Sequence, residues 1–303
     1  MMSIAIAGGT GPVGKTIVDA LLASGQFVVH VLSRQDQSSS GKLHNLRVDY
    51  DDPVYTSKAL EAAGVNTVIC AIGVATPSTN QAQKNLIRAC ALASTVTRFV
   101  ISSFDMLHRK EDVGISPLAR YTFEAIDELE KTDLEYTRIA NGWFLDYYGM
   151  PHWKTYLHPW INVLNMEKKW AVIPGDGSAK VNLITTQDMA RFVARLMELQ
   201  HWSPNLLSLR SASKLTGTGV KFQVAYDSVD RLRGGNISFF SEFPPLDFLD
   251  DAEAFYATVH YLASIGRFLV PTEEILDTKF PEIRPTTAAE VMEKSWGKSA
   301  ALG

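Results

Sequence analysis

From Ser3 to about Ala140, short apolar runs alternate with longer amphipathic segments. Strand-helix-strand units around a parallel sheet leave this pattern, because a strand covered on both faces reads as a continuous apolar run. Strands are predicted over residues 3–7, 27–32, 46–48, 67–72, 98–102 and 134–139. Val13, Ile17, Ala20 and Leu21 recur at helical spacing and give one apolar face that Gly25 ends. Residues 85–93 and 121–129 repeat that spacing. Right-handed crossovers bring every strand's carboxyl end, and the loop after it, to one edge of the sheet. A ligand is expected at that edge.

The texture changes after Gly142. Aromatic residues crowd into Trp143, Phe144, Tyr147 and Tyr148 and continue through His152, Trp153, Tyr156, His158 and Trp160. Pro174-Gly175-Asp176-Gly177 reads as a turn, residues 181–184 as a strand, and 187–199 as a helix opened by Thr185-Thr186 with Asp188 in its first turn. From Leu246 the tail reads as mostly helical, broken at Pro271, Pro281 and Pro285. Two regions are expected, residues 1–150 and a smaller one over 151–303, with elements of the second free to return to the first.

Composition narrows the function classes. Hydrophobic residues make up 46% and charged residues 20%, with 20 Gly and 13 Pro among 303, which excludes collagen-like, disordered and coiled-coil chains. The net charge of -4 and the lack of any basic run give a nucleic-acid backbone nothing to hold. Cys70 and Cys90 make no disulfide framework and suit a reducing, cytoplasmic setting. No apolar run approaches the roughly 18 residues that span a bilayer. The first residues run into glycines without a basic segment, so they read as a strand and not as a signal peptide. The seven His are scattered and no metal site is expected.

The sharpest motif is Ala7-Gly8-Gly9-Thr10-Gly11-Pro12-Val13-Gly14, directly after the first strand and opening the first helix. Gly8 permits a tight turn, Gly11 lets backbone approach a pyrophosphate, and Gly14 lets helix and strand pack closely. With Thr10, Pro12 and Val13 they form a candidate dinucleotide cradle at a helix N-terminus. The same stretch also satisfies a triphosphatase loop through Gly9, Gly14, Lys15 and Thr16. Against that reading, Pro12 has no amide to give, and the nearest Mg-binding carboxylate, Asp105, lies past Ser102-Ser103-Phe104.

The second strand ends in Ser33-Arg34, where an NAD site would prefer a carboxylate. An Arg fork with a nearby hydroxyl suits a 2'-phosphate, so NADP(H) is the expected cofactor, with Asp36 leaving NAD open. Asp49 is placed toward the adenine, Ala71-Ile72-Gly73 toward the ribose side, and Asn141-Gly142 beside the nicotinamide, though the last pair also reads as a plain turn.

With these features, Val48-Asp49-Tyr50, the block from Tyr136 to Pro151 and Ile173-Pro174-Gly175-Asp176-Gly177, the chain resembles the NmrA-like proteins, atypical short-chain dehydrogenase relatives grouped with isoflavone reductase-like enzymes, and most of all their fungal members. The resemblance covers nearly the whole chain. It implies an α/β fold: a Rossmann-type, doubly wound parallel sheet binding NADP(H), followed by a smaller C-terminal α/β substrate region. It implies either reductase activity or dinucleotide sensing coupled to a regulatory partner. Two departures stand out. Counting back from Tyr136-Thr137 puts Glu124 where the family's reductases carry a catalytic Lys, and Tyr121 is followed at the fourth position by Ala125, not Lys. The connection over residues 209–222 is also shorter than usual.

Hydride chemistry belongs to the nicotinamide, so the protein must position a substrate and handle one proton. Tyr121, Glu124 and Ser103 are the candidates for that work, with Ser102 beside the cofactor; packing and solvated-helix roles compete for Tyr121 and Glu124. Phe144, Tyr148, His152 and Trp153, with His158 and Trp160, are candidate walls for a flat or aromatic substrate, or equally core. The leading expectation is an NADPH-dependent reductase of a small aromatic or polyketide-like metabolite, against a non-catalytic NADP(H) sensor and a triphosphatase.

Overall fold

The computed structural model describes residues 1–36, 39, 41–160, 163–202, 207–208, 221–246, 249–270 and 276–297. Its first strand, β1 (Met2–Ala7), is buried on both faces: Ile4 and Ile6 join one apolar cluster while Ala5 and Ala7 join another. The chain then alternates through α1 (Pro12–Ser24), β2 (Phe27–Ser33), β3 (Leu43–Arg47), α2 (Pro53–Ala62), β4 (Thr67–Cys70), α3 (Pro77–Leu92), β5 (Arg98–Asp105), α4 (Pro117–Leu129) and β6 (Glu135–Ala140). The strands pair in parallel in the order β3-β2-β1-β4-β5-β6, and the two-residue β11 (Leu207–Ser208) adds beyond β6. This is the Rossmann-type, doubly wound sheet. Its topological switch lies between β1 and β4, which opens a crevice outside their carboxyl ends.

Helices cover both faces. Ile17 and Leu21 of α1 pack with Val193 and Leu196 of α6 (Thr186–Leu196) on one side. Leu60, Leu86, Ile87, Ala125 and Leu129 of α2, α3 and α4 close the other. Each fully buried Val, Leu or Ile among these contributes about 1.5–3 kcal/mol. Thus α6 and β11, both beyond residue 150, complete the first layer.

The remaining elements are β7 (Trp143–Phe144), α5 (Asp146–Gly149), β8 (Leu164–Asn165), β9 (Trp170–Pro174), β10 (Leu183–Ile184), β12 (Gln223–Asp227), α7 (Val229–Arg233), α8 (Ala252–Ser264), α9 (Leu276–Lys279) and α10 (Ala288–Trp296). β10 pairs with β7, and β9 lies between β12 and β8. An aromatic core holds this region together: Trp170 stacks near Phe239 and Phe243, and Phe243 meets Tyr256 at 4.6 Å between ring centres. Buried Asp146 joins the two regions by accepting bonds from the backbone N–H and hydroxyl of Thr186, at 2.8 and 2.6 Å.

Several predicted bounds move for physical reasons. Helix α2 escapes periodicity because Leu60 is the sole aliphatic residue among its buried positions, but Asp52 caps it and Pro53 opens it. Helix α3 starts at Pro77, not near 85, since the Thr76 capping box and the buried Asn80 and Gln83 carry its first turns without apolar residues. The half-buried edge strand β3 sits a few residues before the predicted 46–48. Strands β9 and β12 were not anticipated, β12 because its side chains are mostly exposed. Most of the connection over 209–222, much of the 38–41 turn and the Pro271 break lie outside the described residues.

Gly142 has φ +76°, and a Cβ there would lie 2.2 Å from the Asn182 carbonyl oxygen. Gly142→Ala is therefore expected to cost about 2–4 kcal/mol, through left-handed strain and overlap with backbone. Urea unfolding measures it, and an unchanged midpoint would refute the constraint.

Candidate functional site

The glycine loop is fixed by backbone contact. Gly8 has φ +74°, and a Cβ on it would lie 2.5 Å from the Ala71 carbonyl oxygen. A Cβ on Gly14 would lie 2.2 Å from the Gly8 carbonyl oxygen, so α1 rests directly on the turn. The Gly11 N–H donates to that same Gly8 oxygen at 2.9 Å. Gly11 precedes Pro12 at the helix start, and no side chain caps the helix. The helix mouth is thus left open for an anion.

A cavity of about 830 Å³ lies in front of it. Gly8, Thr10, Gly11, Pro12 and Val13 form one wall, Ser33, Arg34 and Asp49 another, and Ala71, Ile72 and Gly73 the floor. Gly14 stands behind the wall as a packing residue. Exposed Arg34 makes no ion pair with a described residue, whereas Asp36 is taken by Arg47 at 3.2 Å. Asp49 accepts the Asp51 N–H at 2.9 Å, and Tyr50 beside it has its phenol pKa raised by burial.

A second cavity, about 370 Å³, shares Val13, Ala71, Ile72 and Gly73 with the first, so the two meet at the carboxyl end of β4. Ser102, Ser103 and Tyr121 line it, as expected. The Ser102 hydroxyl donates to the Ile72 carbonyl at 2.6 Å and its N–H to Gln83 at 3.0 Å, leaving it occupied with backbone. Ser103 Oγ is buried with no partner among the described residues, and buried Tyr121 carries the Arg120 guanidinium 5.2 Å from its ring centre. Aromatic walls come from Phe104, Tyr147, Trp160 and Phe255. Asp105 and His108 complete the lining: His108 Nε2 lies 3.1 and 3.2 Å from the two carboxylate oxygens. Asp105 had been considered only as a metal carboxylate, and His108 was missed. The signal was an acid and a His three residues apart at a strand's carboxyl end.

A strip of the second region passes over both cavities. Leu157 lines the larger and Trp160 the smaller. Tyr156 anchors the strip to α1, donating its hydroxyl to Asp19 at 2.8 Å beneath Lys15, whose Nζ sits 4.2 Å from the ring centre.

Several expectations need correction. Glu124 does not line either cavity. Burial pushes its carboxyl up, but hydrogen bonds from Asn80 (2.8 Å) and Lys84 (3.0 Å) with the charges of Lys84 and Arg120 prevail, so its pKa is lowered and it is no acid. Asn141 and Gly142 do not line the cavities either; their N–H groups both donate to the Asp105 carbonyl at 2.9 Å, and they work as the turn that holds β5 and β6 in register. Phe144 and Tyr148 are core residues, His152 packs edge-on against Trp296, and Trp153 packs against the aromatic core near Lys294. The triphosphatase reading fails because Lys15 is held on Tyr156 and the Thr16 hydroxyl donates to the Pro12 carbonyl. Among the described residues no cluster of His, Cys, Asp and Glu could hold a metal ion, and no helix is long and apolar enough to cross a membrane.

The NAD(P)H-binding family model matches residues 8–199. Oxidoreductase swnN of Metarhizium robertsii is 31% identical over 98% of both chains. The chain belongs to the NmrA-like, isoflavone reductase-like family of NAD(P)H-binding proteins. Oxidoreductase BOA1 of Botryotinia fuckeliana is 35% identical over 67% of this chain and 68% of its own. The solved structure of AtPrR2 with NADP+ and (+)pinoresinol has the same fold, with TM-score 0.73 and 18% identity over 99% of this chain and 98% of the other. This family member is thus an NAD(P)H-binding protein with oxidoreductase relatives.

Glu124→Lys is expected to add no turnover, because the new ammonium faces Lys84 and not the cavity. It should lower stability by roughly 1 kcal/mol, a solvent-screened pair having been replaced by a repulsion. Glu124's stabilising share is present above the ordinary Glu pKa and is lost as pH falls through its lowered one. A gain of activity in Glu124→Lys would overturn this assignment.

Proposed function

We propose that this protein is an NADPH-dependent reductase of a small, flat carbonyl or enone compound of aromatic or polyketide-like type. The observation that carries the reading is the junction of the two cavities at Val13 and residues 71–73, a dinucleotide-sized trough opening into an aromatic-walled chamber. The trough fits the cofactor: its helix mouth is free of capping side chains and its glycine cradle has no room for a Cβ. Thr10, Gly11 and Val13 would hold the diphosphate, with Arg34 and Ser33 at the adenosine 2'-phosphate. Bound there, the nicotinamide would supply a hydride at the chamber. The chain's own part is to exclude water with Tyr147, Trp160 and Phe255, to orient a flat guest between these rings, and to provide a proton. The family resemblance and the NADP+ in the AtPrR2 structure support the cofactor choice.

A dinucleotide sensor without turnover is the second reading, favoured by the lack of any Lys among the described residues that line the chamber. Titration with NADPH, NADH and ATP, followed by NADPH oxidation over aromatic ketones and enones, separates the two. The reductase predicts turnover with at least one acceptor; tight NADPH binding with none would favour the sensor. Arg34→Ala is expected to weaken NADPH by about 1.5–3 kcal/mol, the range for a hydrogen bond to a charged group, which is about 10- to 150-fold, with NADH nearly unchanged. Equal losses for both cofactors would remove Arg34 from the 2'-phosphate.

A further inference from the structure

We propose that His108, positioned by Asp105, is the proton donor of the reduction. This rests on the reductase reading. The dyad is built by the backbone. The pairing of β5 with β6 shifts register between Ile101 and Asp105, and beyond the shift the Asp105 carbonyl accepts the N–H groups of Asn141 and Gly142. Such an irregularity re-aims side chains at a sheet edge. The backbone at His108 is held on both sides: the Leu107 N–H donates to the Arg267 carbonyl at 3.1 Å, and Arg138 donates to the His108 carbonyl at 2.9 Å.

The imidazole therefore has one nitrogen committed and one free. Nε2 faces the Asp105 carboxylate, while Nδ1 is buried with no partner among the described residues, in a side chain only 2% exposed. Ser103, on the same cavity, has an Oγ that is also buried with no partner among the described residues. Neither atom is accessible to solvent, so an oxygen-bearing guest in the chamber reaches them only as the two side chains turn toward it. The bonds then made recover the free energy that leaving them unsatisfied costs. A carbonyl substrate supplies that oxygen as acceptor for both groups.

The step balances as follows. With Nε2–H donated to Asp105, the charged ring carries its second proton on Nδ1, and the carboxylate offsets the charge. As a hydride drawn from a reduced nicotinamide bonds to the carbonyl carbon, the C=O π pair moves to oxygen and takes the Nδ1 proton. One C–H and one O–H bond form, the carbonyl is reduced, the dihydropyridine is oxidised, and neutral His108 regains a proton from water. Asp105 orients the ring and stabilises its charged form without touching substrate.

The test begins with an acceptor that the native protein reduces. His108→Ala is expected to lower kcat 10²- to 10⁴-fold, the usual share of a positioned acid, while the NADPH Kd stays within about twofold. Added imidazole should restore His108→Ala turnover at least tenfold. Asp105→Asn should lower kcat with little change in KM and alter the imidazole tautomer seen by nitrogen NMR. A His108→Ala kcat above one-tenth of native overturns the donor role while the reductase reading stands. A second readout needs no turnover: in protein loaded with NADP+, saturating acetophenone should shift the His108 Nδ1 resonance by several ppm and leave Nε2 in place. An unmoved Nδ1 signal overturns the proposal whatever the native activity.

Discussion

The architecture depends on one close approach of backbone to backbone: α1 stands on the carbonyl of Gly8, and Gly8 stands on the carbonyl of Ala71. Neither contact leaves room for a side chain. Because three segments meet there without side chains between them, the helix start lies at the base of a trough instead of behind a wall, and its amide end is available to a ligand. The same contact sets the position of residues 71–73, which form the floor of both cavities. The geometry of the chamber is thus inherited from the glycine turn.

The aromatic region answers a different constraint. The carboxyl edge of the sheet would be open to water if β7, α5 and the segment before β8 did not fold over it. Their rings divide between two tasks. Trp143 and Tyr148 fasten this cover to α8 and α10, while Tyr147 and Trp160 face the space beneath it. Asp146, bonded to the first residue of α6, sets the cover's position relative to the sheet, and burial raises its pKa in spite of those bonds.

How much of this was legible in the sequence follows from the range of the forces involved. The parallel sheet and the glycine cradle were readable because they follow from local periodicity and from residues whose backbone preferences are nearly absolute. The place of Arg34 on the trough was readable because a strand's end is a fixed address in this fold. The aromatic wall of the chamber was not. Tyr147 and Tyr148 are neighbours in sequence, yet the first lines the chamber and the second is core, a choice made by distant α8 and α10. Likewise the pairing of Asp105 with His108 needs a register shift imposed by β6, and Glu124's ion-pairing role becomes visible only when α3 brings Asn80 and Lys84 across to it.

The strip from Tyr156 to Trp160 ties two compartments together mechanically. One short stretch of chain roofs the trough with Leu157 and closes the chamber with Trp160, and Tyr156 bolts it to α1. It cannot lift from one compartment without disturbing the other. A change anywhere along this stretch would therefore be felt as a change of shape in both compartments at once.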